Sequence, residues 1–207
     1  MQTLKQLRNC ESFHNFITKN LYAPRTRRET IFRFLKKSYW CRLRNNIMIN
    51  EYTKSDTPTI LHIINDASLK YKGVISDDCW KEPYMSEQEL IDEFNDGVRM
   101  YCYHLNNRSI GVIGIQEVKD VILIRHAYTL TSQQGKGVGS ALLEYLLKKN
   151  QNSQLLVGTW KSAIWAIRFY EKFGFILHSK EQSTLLLNKY WKIPLKQIKN
   201  SVVLERF

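Results

Sequence analysis

From Ile47 onward the apolar residues switch repeatedly between a period of two and a helical period, and each switch coincides with a turn or cap residue. Ile47 to Tyr52 reads as a strand. Ser55-Asp56-Thr57-Pro58 then reads as a cap, opening a helix that carries Ile60, Leu61, Ile63 and Ile64 on one face. Residues 73 to 86 lack either period and read as a loop. Met85-Ser86-Glu87-Gln88-Glu89 has the spacing of a capping box, and the helix it opens through Leu90, Ile91 and Phe94 is closed by Asp96-Gly97. Arg99 to Leu105, Ser109 to Val118 and Val121 to Leu130 are strands separated by Asn106-Asn107 and Lys119-Asp120, which predicts an antiparallel meander. Val138, Ala141, Leu142, Tyr145 and Leu146 share a helix face, followed by a strand from Leu155 to Thr159. A helix from Ser162 to Phe173 is closed by Gly174 and leads into a strand from Phe175 to Ser179. Leu185 to Trp191 is helical or irregular, and Ser201 to Glu205 is a last strand.

Hairpins require antiparallel pairing and a strand-helix-strand crossover requires a parallel pair, so this order implies an α/β fold with a mixed β-sheet and flanking helices. A chain of 207 residues, 43% hydrophobic and 24% charged, can bury a full core without staples. Cys10, Cys41, Cys79 and Cys102 are widely spaced with no C-x-x-C pair. They read as reduced thiols in a cytoplasmic protein rather than as disulfides or a metal site. No apolar run has the length of a membrane span.

The formal charge of +12 is unevenly placed. Residues 1 to 46 hold eleven Lys/Arg against Glu11 and Glu29, whereas residues 47 to 207 are close to balanced. This segment reads as a basic N-terminal extension, with three readings open: a loosely helical or disordered tail, an arm for nucleic acid or another acidic partner, or a targeting peptide. Any contact with nucleic acid is expected through residues 1–46 alone.

The chemistry concentrates elsewhere. Three of the nine glycines lie within five residues, in Gln134-Gly135-Lys136-Gly137-Val138-Gly139-Ser140, at the start of a predicted helix. Glycine permits positive φ and close approach of a ligand to main-chain N–H groups, and a helix N-terminus adds unpaired donors and a favourable dipole. A P-loop would need Lys-Ser/Thr after the last glycine, where Ser140-Ala141 stands. A dinucleotide-binding turn would want an acidic residue at the end of the next strand, which here ends Gly158-Thr159-Trp160. A purely structural turn stays open on the glycines alone.

Two blocks together resemble the GNAT superfamily of acyl-CoA-dependent N-acyltransferases. Gln134-Gly135-Lys136-Gly137-Val138-Gly139 matches its R/Q-x-x-G-x-G/A motif, and Ala166-Ile167-Arg168-Phe169-Tyr170-Glu171-Lys172-Phe173-Gly174-Phe175 is similar to its A-I-x-F-Y-E-K-x-G-F helix. The resemblance covers roughly Ile47 to Glu205 and implies a GNAT-like domain over residues 47–207. It implies acetyl-CoA as co-substrate, without a metal, and acetyl transfer to a primary amine of a small molecule or protein by direct attack. Its pyrophosphate would lie on the backbone of Gly135, Lys136, Gly137, Val138, Gly139 and Ser140, with Gln134 in place of a frequent Arg. The pantetheine arm would pair with Tyr128, Thr129 and Leu130 and pass Phe169. Tyr170 would protonate the departing thiolate, since a phenol stays protonated at neutral pH.

Ala163 stands where the family often has Asn, and neighbouring Ser162 is a candidate substitute. Glu82, in the loop Asp77-Asp78-Cys79-Trp80-Lys81-Glu82-Pro83-Tyr84, and His126 are candidate general bases, with water as an alternative. Arg125 reads either as a contact for an acceptor carboxylate or as the partner of an acid. Cys79 and Cys102 lack any sequence sign of an activated nucleophile. Family members often dimerise, and a homodimer is compatible with the chain. The opposing functional reading is a non-catalytic CoA-binding module serving the basic arm.

Overall fold

A computed structural model of the chain describes residues 47–52 and 56–207. The expectations for residues 1–46, and the part of Ser55 in a cap, lie outside the described residues. Strand β1 (Ile47–Glu51) is followed by helices α1 (Thr57–Ser68) and α2 (Glu87–Asn95). The meander is β2 (Arg99–Leu105), β3 (Arg108–Val118) and β4 (Val121–Thr129). Helix α3 (Val138–Lys149), β5 (Leu155–Trp160), α4 (Ile164–Glu171) and the two-residue β6 (Ile176–Leu177) come next. Helices α5 (Lys180–Tyr190) and α6 (Leu195–Lys199) precede β7 (Ser201–Arg206).

The local chemistry explains most boundaries. Asp56 occupies the N-cap of α1 without a side-chain capping bond to the helix, and Pro58 stands in its first turn. Helix α2 has the full capping box: the Ser86 side chain accepts from the Glu89 N–H, and the Glu89 carboxylate accepts from the Ser86 N–H. Asn106 and Asn107 both take positive φ, 50° and 60°, which suits the twist of a two-residue hairpin.

The seven strands lie in the order β1-β2-β3-β4-β5-β7-β6, and all neighbours are antiparallel except β4 and β5. Alternation along the central strands sends residues to opposite faces. Tyr101 and Tyr103 of β2 join Ile113 and Ile115 of β3 under Leu142, Leu143 and Leu146 of α3. Met100 and Cys102 face the other way, onto Ile60, Ile63 and Ile64 of α1 and Leu90 of α2. A third cluster, with Leu123, Leu156 and Val203, is covered by Leu187 and Tyr190 of α5.

Two departures from the sequence expectation reshape the C-terminal part. The strand expected from Phe175 to Ser179 is reduced to Ile176 and Leu177, which pair only with β7, and Ile176 is 71% exposed. Lys180 to Tyr190 is a regular helix, so that β7 enters between β5 and β6 after a helical excursion. Among the described residues no helix is long and apolar enough to cross a membrane.

The feature that positions the site is a divergence in the sheet. Strands β4 and β5 pair only from Ile122 to Ile124 and from Leu155 to Val157. Beyond Ile124, β4 acquires an extra residue relative to β3, since Gly114 faces Arg125 and Val112 faces Tyr128. His126 sits at this bulge with φ of 47°, a left-handed conformation uncommon for residues other than glycine. Strand β5 continues to Trp160 in pairing with β7, leaving the two parallel strands apart.

Candidate functional site

The glycine turn opens directly onto this divergence. Gly135 and Gly137 have φ of 74° and 84°, and a Cβ built on either would meet nothing within 4 Å. Conformation, not crowding, therefore demands glycine there, and the space above the backbone stays open. Gly137 is the N-cap of α3 and has no side chain to cap it. The first main-chain hydrogen bond of that helix runs from Ala141 N–H to the Gly137 carbonyl. The N–H groups of Val138, Gly139 and Ser140 belong to the unsatisfied first turn and form an anion cradle.

A cavity of about 690 Å³ runs between β4, β5, α3 and α4, and the cradle forms part of its wall. It brings together Tyr128, Thr129, Gln134, Gly135, Gly137, Val138, Gly139, Ser140, Phe169, Tyr170 and His126. Phe169 packs edge-on against Tyr170 with centroids 5.1 Å apart, and a Cβ at Gly139 would lie 3.7 Å from the Phe169 ring. Tyr170 is 5% exposed, and burial, with Tyr71 adding a smaller effect, pushes its phenol up. It therefore keeps its proton across the physiological range.

Other residues go elsewhere. Lys136 turns back to the Ser132 carbonyl at 2.9 Å and the Gln133 side chain at 3.2 Å, and does not line the cavity. Gln134 donates to the Thr129 carbonyl at 3.3 Å and ties the turn to β4. The Leu130 N–H is committed to the Ile110 carbonyl, and its side chain packs into the core rather than the cleft. Ser162 is exposed at the turn before α4, outside the cavity wall. The positive groups along the wall are Lys70, Arg168 and Lys172, which the sequence reading did not single out.

A second cavity, about 420 Å³, lies against the other side of the same strands. Its wall includes Tyr84, Trp160, Glu93, Arg125 and His126, and the α5–α6 segment closes it with Trp191 and Pro194. Trp191 lies over β5, within 3.4 Å of where a Cβ on Gly158 would stand. Tyr71, Tyr84 and Tyr128 pack together where the cavities meet, with centroid separations of 5.9, 6.4 and 6.5 Å. The Trp160 indole N–H donates to the Tyr84 hydroxyl at 2.9 Å. Burial pushes all three phenols up.

Glu82 lines neither cavity. It is an exposed group 3.1 Å from Lys72. The carboxylate at the bulge is Glu93 of α2, which accepts from the Arg125 guanidinium at 2.7 Å and bonds the His126 Nε2. Arg125 is completed by Gln116 at 2.8 Å, so it pairs with an acid, one of its two expected roles. Burial acts to raise the Glu93 carboxyl, but the charges and hydrogen bonds of His126 and Arg125 outweigh it and hold it down at about 2. Among the described residues no group of three His, Cys, Asp or Glu is arranged to hold a metal ion.

This geometry of splayed parallel strands, glycine cradle and buried tyrosine agrees with a sequence-family model described as an acetyltransferase (GNAT) domain, which matches residues 65–185. The chain belongs to the GNAT acetyltransferase family. Solved structures of similar fold include a GNAT acetyltransferase from Staphylococcus aureus Mu50, with TM-score 0.59, 18% identity and coverage of 77% of this chain and 98% of that one. The PaiA N-acetyltransferase of Thermoplasma acidophilum, in complex with coenzyme A, gives TM-score 0.57 at 17% identity, with 77% and 98% covered. The ribosomal-protein-S18-alanine N-acetyltransferase of Escherichia coli gives 0.54 at 17% identity, with 77% and 92% covered. No curated protein matches the chain. At these identities the structural likeness speaks for the GNAT fold alone.

Proposed function

We propose that this chain is an N-acetyltransferase that moves an acetyl group from acetyl-CoA to a primary amine of a small molecule or a protein by direct attack. The observation that carries this reading is Tyr170, a buried phenol in the wall of the same cleft into which the glycine cradle opens. The cradle fits an acyl-CoA pyrophosphate in conformation, open space and unpaired donors, and Lys70, Arg168 and Lys172 add charge nearby. The coenzyme A bound by the Thermoplasma acidophilum neighbour supports the same ligand class. When bound, acetyl-CoA supplies a thioester whose C–S bond breaks as the new N–C bond forms, the bonding pair leaving on sulfur.

The chain's own part is to hold the reactants and manage protons. Backbone N–H groups at the start of α3 fix the anionic end. Phe169 packs beside both Gly139 and Tyr170, which links the cradle to the acid. Tyr170 O–H then gives its proton to the departing sulfur, and its burial keeps it from ionising beforehand. The second cavity, reached across Tyr71 and Tyr128, is the space for the amine.

Replacing Tyr170 with Phe removes only the hydroxyl. Turnover, followed by CoA release, is expected to fall about 100-fold, with little change in the KM for acetyl-CoA. An undiminished kcat would show that Tyr170 is a packing residue.

A further inference from the structure

Six residues are common to the walls of both cavities: Tyr71, Ile124, His126, Tyr128, Gly158 and Thr159. Three of them ionise. Tyr71 and Tyr128 are phenols that burial holds protonated, which leaves His126 as the shared side chain with a basic ring nitrogen. Its place is built by the fold. The β4 bulge gives His126 its left-handed backbone, and the side chain, 9% exposed, is directed to Glu93 on α2.

We propose that His126 accepts the proton lost by the attacking amine, and that Glu93 positions it, with Arg125 holding Glu93. The assignment rests on the acetyl-transfer reading above. Glu93 is ionised and can only accept hydrogen bonds, so the His126 nitrogen facing it, Nε2, carries a proton. In the neutral ring the lone pair is then on Nδ1, and the amine proton is taken up there. The guanidinium of Arg125 spans Glu93 and Gln116, at 2.7 and 2.8 Å, and fixes the carboxylate against a second strand. Both bonds of Glu93 in the cluster join α2 to the point where β4 breaks register with β3.

Several of the other charges facing this region have partners of their own. From α2, Glu89 pairs with Lys81 of the preceding loop, and Asp92 accepts from Gln88 at 2.9 Å. From the segment after α5, Lys192 pairs with Asp96 at 3.1 Å. From the cofactor side, Lys70 lies over the Trp165 ring at 4.7 Å, while Arg168 and Lys172 line the cradle cavity. Cys79 lines the second cavity, with burial, followed by the charge of Asp78, pushing its thiol up; Tyr84 and Tyr170 are likewise held protonated by burial. Glu93 is thus the carboxylate bonded to the imidazole.

The test uses the full chain with acetyl-CoA and a panel of primary amines, scored by CoA release. Absence of release by the unmodified protein with every amine overturns the transfer reading, and this assignment with it. With an accepted amine, His126→Gln is expected to lower kcat about 100-fold at neutral pH, with the KM for acetyl-CoA within about twofold. The deficit should shrink at alkaline pH, where the amine sheds its own proton. Glu93→Gln is expected to lower kcat about tenfold and to move the acid limb of the kcat/KM profile down by about one pH unit, because the imidazolium loses its counter-charge. Glu93→Asp should restore part of both.

A readout free of turnover is the imidazole 15N signal of His126 in the ligand-free protein. Its titration midpoint should fall by about one pH unit in Glu93→Gln. A folded His126→Gln variant with kcat within about twofold of the parent overturns the base. An acid limb and an NMR midpoint that Glu93→Gln leaves in place overturn the positioning role.

Discussion

Gly137 shows how one residue can serve fold and site together. Its φ of 84° starts α3 from a left-handed cap, and the absence of a side chain leaves the first N–H groups open to an anion. A Cβ there meets no neighbour, so Gly137→Ala should cost stability through backbone strain alone, about 1 kcal/mol in a thermal or urea melt. The same variant should raise the KM for acetyl-CoA more than it lowers kcat, because it disturbs the cradle and not the proton donor. The place of this glycine at the start of a helix is legible in the sequence, since its spacing from Gly135 and Gly139 and the helix after it are local features. Glu93 was not. Its partners lie 32 and 33 residues away on β4, and nothing in the run Leu90-Ile91-Asp92-Glu93-Phe94 separates it from a solvated helix acid. Glu82 is the opposite case: its aromatic loop makes it a candidate base in the sequence, yet the carboxylate is exposed and pairs with Lys72.

Helix α2 delivers Glu93, and its start is fixed by Ser86. The Ser86 hydroxyl accepts from the Glu89 N–H while Glu89 returns to the Ser86 N–H at 2.9 Å, the reciprocal box that the Ser-x-x-Glu spacing predicts. Ser86→Ala should lower unfolding free energy by about 1 kcal/mol in urea denaturation. Elements with strong periodicity and turn chemistry were read closely: the Arg99–Leu105 strand has the predicted ends, and β3 and β4 differ by one residue. The pattern is least informative after Phe175. A strand at the sheet edge is only as long as its partner allows, and of this run only Ile176 and Leu177 enter the ladder with β7. The Leu185-Leu186-Leu187 run has no clear period, so the extent of α5 and the existence of α6 did not show in the pattern.

Across the whole molecule, the link between α2 and β4 ties the second cavity to the stability of the protein. The Glu93 carboxyl is lowered from 4.5 to about 2 on folding, so its contribution is complete above the unfolded value and is lost as pH falls through the folded one. Glu93→Gln should be less stable than the parent by about 2 kcal/mol at neutral pH, since it leaves Arg125 half-buried without its charge partner. That difference should shrink from about pH 4.5 downward and nearly vanish near pH 2, measured by acid-dependent denaturant melts. The sequence by itself determined the mixed α/β class, the meander, the glycine cradle and the tyrosine helix, because each is written in residues close together in the chain. The tertiary structure decided that β4 and β5 part after Ile124, that β7 inserts beside β5, and that Glu93, Arg125 and His126 meet where the strands separate. Those choices depend on which surfaces pack across long separations, where local preference carries no information about the partner.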